Sequence, residues 1–299
     1  MALLACWLVA PCPSLAAITS YQRSRYDRRV NVFSPDGELL QASYADAAAD
    51  RGDLVLAAVT KDGSVIICKQ TPKNNKLLVP KSKSWPGDNK IRSVNDLAFA
   101  IFSGLLGDSL SLLSKTQNFA IRLKATIGSE ASITTIATKV SELQHSSTLQ
   151  GGERPFGVNT ILLGHDSEAR SSSNRNSSSS MGVHKEREGK RNTRSNKPKI
   201  FCINASGNVY QCSACAIGKG SSLALQELEE SYSEEMGPEE VVTILKTIAS
   251  KCLSRFGDVV DSSSGSDGIT QGSQGAEEPS YSFDVHILSA NAPGDLRPF

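Results

Sequence analysis

Residues 54–68 hold two β-rich runs, Leu54 to Val59 and Ser64 to Cys68, on either side of Lys61-Asp62-Gly63. Asp-Gly between two such runs is a strong signal for a tight hairpin, so the chain commits early to antiparallel pairing. Leu97 to Phe102 reads as a further short apolar strand. Helical spacing then takes over: Ile133, Ile136, Val140 and Leu143 recur at three and four residues and place one apolar stripe on a helix. Leu106, Leu110 and Leu113 start a similar, weaker stripe before it. Strands return at Gly157 to Gly164 and in the pair Lys199 to Asn204 and Asn208 to Cys215, joined across Ala205-Ser206-Gly207. Two helices follow, around Leu223 to Tyr232 and Val241 to Leu253. The second opens on Pro238-Glu239-Glu240, a first-turn proline with acids at the positive end of the helix dipole. Antiparallel strands with helices in sequential pairs suggest layers, two sheets face to face with helices outside. The pattern alone leaves that arrangement open.

Two stretches lack the apolar side chains needed to offset the entropy of ordering. Residues 167–199 run through serines and then Lys185, Arg187, Lys190, Arg191, Arg194, Lys197 and Lys199; residues 257–280 are rich in Ser, Gly, Asp and Gln. Both are predicted to be disordered. The first interrupts a fold, and the second is a linker before a last strand and tail at 281–299. The basic run at Lys190-Arg191 reads as a solvent-facing loop more readily than as a nuclear import signal. With 39% hydrophobic and 21% charged residues, the remainder can build a core without disulfide staples. A net charge of +1 gives no global field toward nucleic acid. Seven scattered cysteines, an odd number, argue against a disulfide framework and read as reduced intracellular thiols. Residues 1–20 form an apolar extension. Met1 to Ala17 resembles the apolar core and small-residue cleavage site of a signal peptide, without its charged leader. No later run is long and apolar enough to span a bilayer.

The stretch from Tyr26-Asp27-Arg28-Arg29 through Phe33-Ser34-Pro35-Asp36-Gly37 to Ala42-Ser43-Tyr44-Ala45 resembles the N-terminal signature of proteasome α subunits. Read physically, Ser34-Pro35-Asp36-Gly37 is a turn. Glu38 to Ala49 is then a helix ending at Arg51-Gly52, with Gly52 suited to a left-handed stop. Further blocks are similar: Ser103-Gly104-Leu105, Arg154-Pro155-Phe156-Gly157-Val158, Ser206-Gly207-Asn208 and Ala216-Ile217-Gly218-Lys219-Gly220. The resemblance covers residues 21–256. It implies an α+β fold, the four-layer αββα sandwich of the N-terminal nucleophile hydrolases, with the Ser-rich insert in a surface hairpin between Gly164 and Ile200. It also implies a seven-membered ring with other α subunits, stacked on β subunits and docked by the C-termini of ATPases or other activators, without a cofactor. The resemblance further implies ubiquitin-dependent protein degradation in cytoplasm and nucleus. By the same resemblance Tyr26, Asp27, Pro35 and Tyr44 form a gate cluster. Lys90, Gly52 and Leu105 map to the pocket where the family's lysine meets an activator's terminal carboxylate. The sequence departs from the pattern at Ala42-Ser43, Asp50-Arg51 and Leu110, and about six residues are added between Cys68 and Lys90.

Catalytic members of that superfold use an N-terminal threonine whose own amine is the base. Here Asp53 follows Gly52 at that position, with a helix upstream, so no catalytic residue is expected. Two other readings stay open: a free amidohydrolase using Cys68 or Ser64, and a secreted adhesion protein built on Arg51-Gly52-Asp53. Cys212-Ser213-Ala214-Cys215 has zinc-like spacing, but no second pair follows, and the four histidines are dispersed; no metal is expected. Gly218-Lys219-Gly220-Ser221 lacks the upstream glycine of a phosphate loop, since Ser213 stands there.

Overall fold

The computed structural model describes residues 26–72, 90–150, 154–166, 198–257, 281–289 and 296–298. The expected N-terminal extension, most of the Ser-rich insert and almost all of the second linker lie outside the described residues. Lys199, counted in both the insert and the strand that follows it, is the first residue of that strand and pairs with Asp166. Gly257, assigned to the linker, ends a helix.

Helix α1 (Leu40–Ala49) leads into the hairpin of β1 (Val55–Val59) and β2 (Val65–Pro72). The turn is the expected one: Gly63 takes φ +74°, its N–H donates to Thr60 O at 2.8 Å, and Thr60 N–H donates to Ser64 O at 2.8 Å. A second hairpin follows, β3 (Ile91–Asn95) with β4 (Ala98–Gly104). Then come α2 (Leu106–Ile127), α3 (Ile133–Leu149), β5 (Val158–Gly164), β6 (Lys199–Ile203), β7 (Val209–Cys212) and β8 (Ala214–Ile217). Helices α4 (Ser221–Ser231) and α5 (Pro238–Gly257) precede β9 (Tyr281–Leu288) and β10 (Leu296–Pro298). These strands form two antiparallel sheets, ordered β10-β9-β2-β1-β8 and β3-β4-β5-β6-β7.

Strand alternation explains the layering. On β1, Val55 and Ala57 point into a core shared with Ile101, Ile161 and Leu163 of the other sheet. Leu56 and Ala58 point the opposite way, against Leu228, Leu245 and Ile248 of α4 and α5. On β5, Leu162 faces α2 and α3 through Leu112, Ile136 and Val140, while its neighbours Ile161 and Leu163 face the first sheet. The central strands β1 and β5 are thus buried on both faces, which is why they read as apolar runs. The α+β four-layer sandwich follows from these three cores.

Three expectations are corrected. The run Asn208 to Cys215 is two strands rather than one: β7 pairs with β6 in one sheet and β8 with β1 in the other, and Ser213 carries the chain across. Strand β3 was not foreseen; it is an edge strand with an irregular register between Ser93 and Asn95, which breaks its alternation. On α2 the buried face is Asp108, Ser109, Leu112, Leu113, Thr116 and Ala120, whereas Leu106 and Leu110 are 59% and 41% exposed. The face the helix turns inward is the one bearing Leu112, Leu113 and Ala120, which pack in one core with Phe102 and Leu162. The stripe on α3 is as expected, with Ile133, Ile136 and Val140 buried.

Candidate functional site

The segment joining α1 to β1 brings most of the sequence-predicted docking residues to one place. Gly52 is not the left-handed helix stop that its position suggested. Positive φ occurs at Gly37, Gly63, Gly104, Gly128, Gly207, Gly218 and Gly220 among the described residues, and α1 ends instead on Asp50 in helical conformation. Glycine is required at 52 by contact: a Cβ there would stand 2.2 Å from Gly104 N and 2.3 Å from Ser103 Oγ. The carbonyl of Gly52 accepts from Lys219 N–H at 2.8 Å. Asp53 O accepts from Ser103 Oγ at 3.0 Å, and a Cβ on Gly218 would meet that same carbonyl at 2.3 Å. The backbone of Gly52-Asp53 is therefore held by two segments of the fold, Ser103-Gly104 and Gly218-Lys219. Lys90, at the start of β3, donates from Nζ to Asp53 Oδ2; the two side chains are 31% and 43% exposed.

Leu105 follows Gly104 directly in the chain. Its N–H donates to Gly157 O at 3.0 Å, and its half-exposed side chain lies close over Gly157, where a Cβ would stand a tight 3.1 Å from Leu105 Cδ1. Gly157 is held in turn by Asp108, whose Oδ2 accepts from Gly157 N–H at 3.0 Å. The same carboxylate takes a two-pronged pair of bonds from Arg154, Nη1 and Nη2, each 2.6 Å long. These bonds, with the Arg154 guanidinium foremost, hold the Asp108 carboxyl below the usual carboxylate range, against the opposing effect of burial. Sequence reasoning quoted Arg154 only as part of a similar block and missed Asp108 altogether. A buried acid in the first turn of a helix, 46 residues before an arginine, leaves no periodic signature.

The gate residues lie on and before α1. Ser34-Pro35-Asp36-Gly37 is the expected turn, with Gly37 N–H donating to Ser34 O at 2.9 Å. Tyr26 and Asp27 are half-buried; Pro35 and Tyr44 are exposed. The amide of Gln41 donates to Asp27 O and ties the segment at Tyr26-Asp27 to α1, three residues before Tyr44. Among the described residues no hydrogen bond links Tyr26, Asp27 and Tyr44 to one another. Helix α1 is itself fixed to β5 and the β6–β7 turn. Asn159 Nδ2 donates to Asp50 Oδ1 at 3.0 Å and Asn159 Oδ1 accepts from Ala205 N–H at 3.1 Å, while Ser206 Oγ donates to Asp46 Oδ2 at 3.2 Å.

Burial pushes the Asp46 carboxyl up, the Ser206 hydrogen bond opposes this, and Asp50 adds to it. A raised carboxyl binds protons more tightly folded than unfolded, so its contribution falls as pH rises through the folded pKa. At neutral pH the ionised Asp46 costs stability. Asp46→Asn should therefore raise stability at pH 7 by ~0.5 kcal/mol, the scale of half-exposed electrostatics. The gain should shrink as pH falls below the carboxylate range. Thermal melts of both chains at several pH values would check this, and an equal or lower melting temperature at pH 7 would contradict it.

Neither alternative nucleophile reaches this site. Cys68 is 1% exposed, faces the α4–α5 layer, and its thiol is pushed up to about 12, mainly by burial. It is thus a neutral thiol under a helix layer rather than a reactive thiolate. Ser64 closes the β1–β2 turn, its N–H on Thr60 Oγ1 at 3.2 Å. The whole of β1, about 17 Å at strand spacing, separates that turn from Asp53. The Arg51-Gly52-Asp53 triplet is also not presented as a recognition tip, since Gly52 is wedged and the Asp53 carboxylate is engaged by Lys90. Cys212 and Cys215 fall in different sheets; the Cys202 thiol beside Cys215, and then burial, push Cys215 well above the usual thiol range. No group of His, Cys, Asp or Glu among the described residues could hold a metal ion.

A sequence model described as proteasome subunit matches residues 49–172 and 192–265. The chain is similar to "Proteasome subunit alpha" of Thermococcus sibiricus, 29% identical over 228 residues, covering 76% of this chain and 74% of that one. The protein of the same name from Methanocaldococcus jannaschii is 28% identical over 228 residues, with the same coverage. That of Methanothermobacter thermautotrophicus is 28% identical over 223 residues, covering 75% and 76%. Two antiparallel five-stranded sheets between helix layers, an aspartate at the nucleophile position and α-named relatives agree, and on the extent of the match the chain belongs to the proteasome subunit family.

Proposed function

We propose that this chain is a non-catalytic α-type subunit of a proteasome core particle, serving ring assembly, substrate-entry gating and activator docking. The observation that carries the reading is Asp53, which has no hydroxyl or thiol, directly after Gly52 and behind a helix α1 fixed to β5 through Asp50 and Asn159. A nucleophile that uses its own free amine needs a chain end there, and this chain has Asp53 held from both sides. Its partners in this reading are other α subunits in a seven-membered ring, β subunits below, and the C-termini of ATPases or other activators above. Lys90, Gly52 and Leu105 form the docking pocket; Tyr26, Asp27, Pro35 and Tyr44 form the gate cluster. In this reading the process is ubiquitin-dependent degradation in cytoplasm and nucleus.

The test separates docking from gating in core particles carrying single variants. Lys90→Ala should weaken activator affinity about fivefold, because it removes one charge-assisted contact at a half-exposed site. Tyr26→Ala should leave assembly intact and lower stimulated peptide hydrolysis at saturating activator about twofold, by shifting the populations of a gate that other subunits share. Migration of the native chain as a monomer would refute the ring. Identical behaviour of the two variants would refute the division of roles.

A further inference from the structure

We infer that Asp53 is a built-in counter-ion of Lys90 that sets the selectivity of the docking pocket: an incoming carboxylate must displace this chain's own. The inference rests on the pocket reading of Lys90. Three features of the site support it. The Lys90 ammonium is already engaged, donating to Asp53 Oδ2 across 37 residues of sequence. The aspartate main chain cannot retreat, because its carbonyl holds Ser103 Oγ at 3.0 Å and is crowded by Gly218, while the preceding Gly52 abuts the Gly104 backbone. Only the Asp53 side chain is free to swing. And both side chains are partly open to water, at 31% and 43% exposure.

The last point decides between a block and a filter. A deeply buried pair would hold Lys90 permanently, since separating it strands an uncompensated charge. A half-exposed pair contributes little net free energy and exchanges readily. An ammonium has three donors, so a second carboxylate can reach Lys90, but it arrives beside a like charge. The pocket of this subunit should therefore take a bare carboxylate weakly. A ligand succeeds when contacts elsewhere along its chain hold it long enough to exchange with Asp53.

The experiment uses the full chain assembled in its core particle. The probes are a short acetylated peptide ending in a free carboxylate and its amidated twin, with binding read by fluorescence anisotropy. The wild-type chain is compared with Asp53→Asn, Asp53→Glu, Lys90→Gln and Asp53→Asn with Lys90→Gln. Asp53→Asn should bind the free carboxylate about fivefold more tightly, the scale expected for freeing a half-exposed ion pair, and the amidated twin no more tightly. Asp53→Glu should restore the wild-type affinity, and the double variant should lose the gain. Unchanged or weaker carboxylate binding by Asp53→Asn, with Lys90→Gln still weakening it, overturns the counter-ion and leaves the pocket standing. No preference for the carboxylate over the amide in any chain overturns the pocket and the counter-ion together.

Discussion

Gly52→Ala should cost about 3 kcal/mol of stability, the upper range for forcing one methyl into a filled space. The new Cβ would lie 2.2 Å from Gly104 N, 2.3 Å from Ser103 Oγ and 2.8 Å from Ser103 C. Two of those atoms are backbone and cannot rotate away. Nor can the backbone yield, because Gly104 sits at φ +122° with no more room, its own Cβ position being 2.2 Å from Gly157 O. A chain of this size should lose roughly 10 °C in melting temperature, with the slope of urea unfolding unchanged if the native state stays compact. An alanine variant within about 0.5 kcal/mol of wild type would mean the close approach of α1's end to β4 is not rigid.

Asp108→Ala should destabilise by a similar amount, about 3 kcal/mol, because one carboxylate satisfies three donors. Two belong to Arg154, and the third is the buried N–H of Gly157. The charged form is the one these donors favour, so the folded pKa is depressed. With a depressed carboxylate, the unfolded chain binds more protons in the acid window, and stability is lost as pH falls through the folded pKa. Wild type should thus lose stability below about pH 4, and Asp108→Asn should lose less over the same range. Chemical unfolding of both chains from pH 7 downward reads this directly. Parallel acid limbs would show that the fork from Arg154 is not a native-state constraint.

Local chemistry was legible in the sequence, and long-range geometry was not. The β1–β2 turn could be read from Lys61-Asp62-Gly63 because a positive φ at Gly63 is a property of three consecutive residues. The α3 stripe could be read because Ile133, Ile136 and Val140 carry their own period. The division at Ser213 could not, since whether Val209 and Ala214 belong to one strand or two is decided by the partners β6 and β1. The face of α2 failed for the same reason: Leu106 and Leu110 fit a stripe, but the sheet packs against the face bearing Leu112, Leu113 and Ala120. At the site, Gly52, Asp53, Lys90 and Leu105 were each singled out by position. The pairing of Lys90 with Asp53 was not, because nothing along the chain announces a contact between strands of different hairpins. Gly52 is the instructive case, where the residue type was noticed and the reason for it lay in Ser103 and Gly104.

Strands β5 and β6 remain in register to their very ends, Gly164 opposite Lys199, with Asp166 and Lys199 paired just beyond. The sheet is therefore complete before the intervening chain begins, and its length is a variable the fold does not read. Closing a longer connection costs only about 0.6 kcal/mol per doubling. For the laboratory the junction is a splice point, where an affinity handle or a fluorescent domain can be inserted beyond the last paired residues of the sheet.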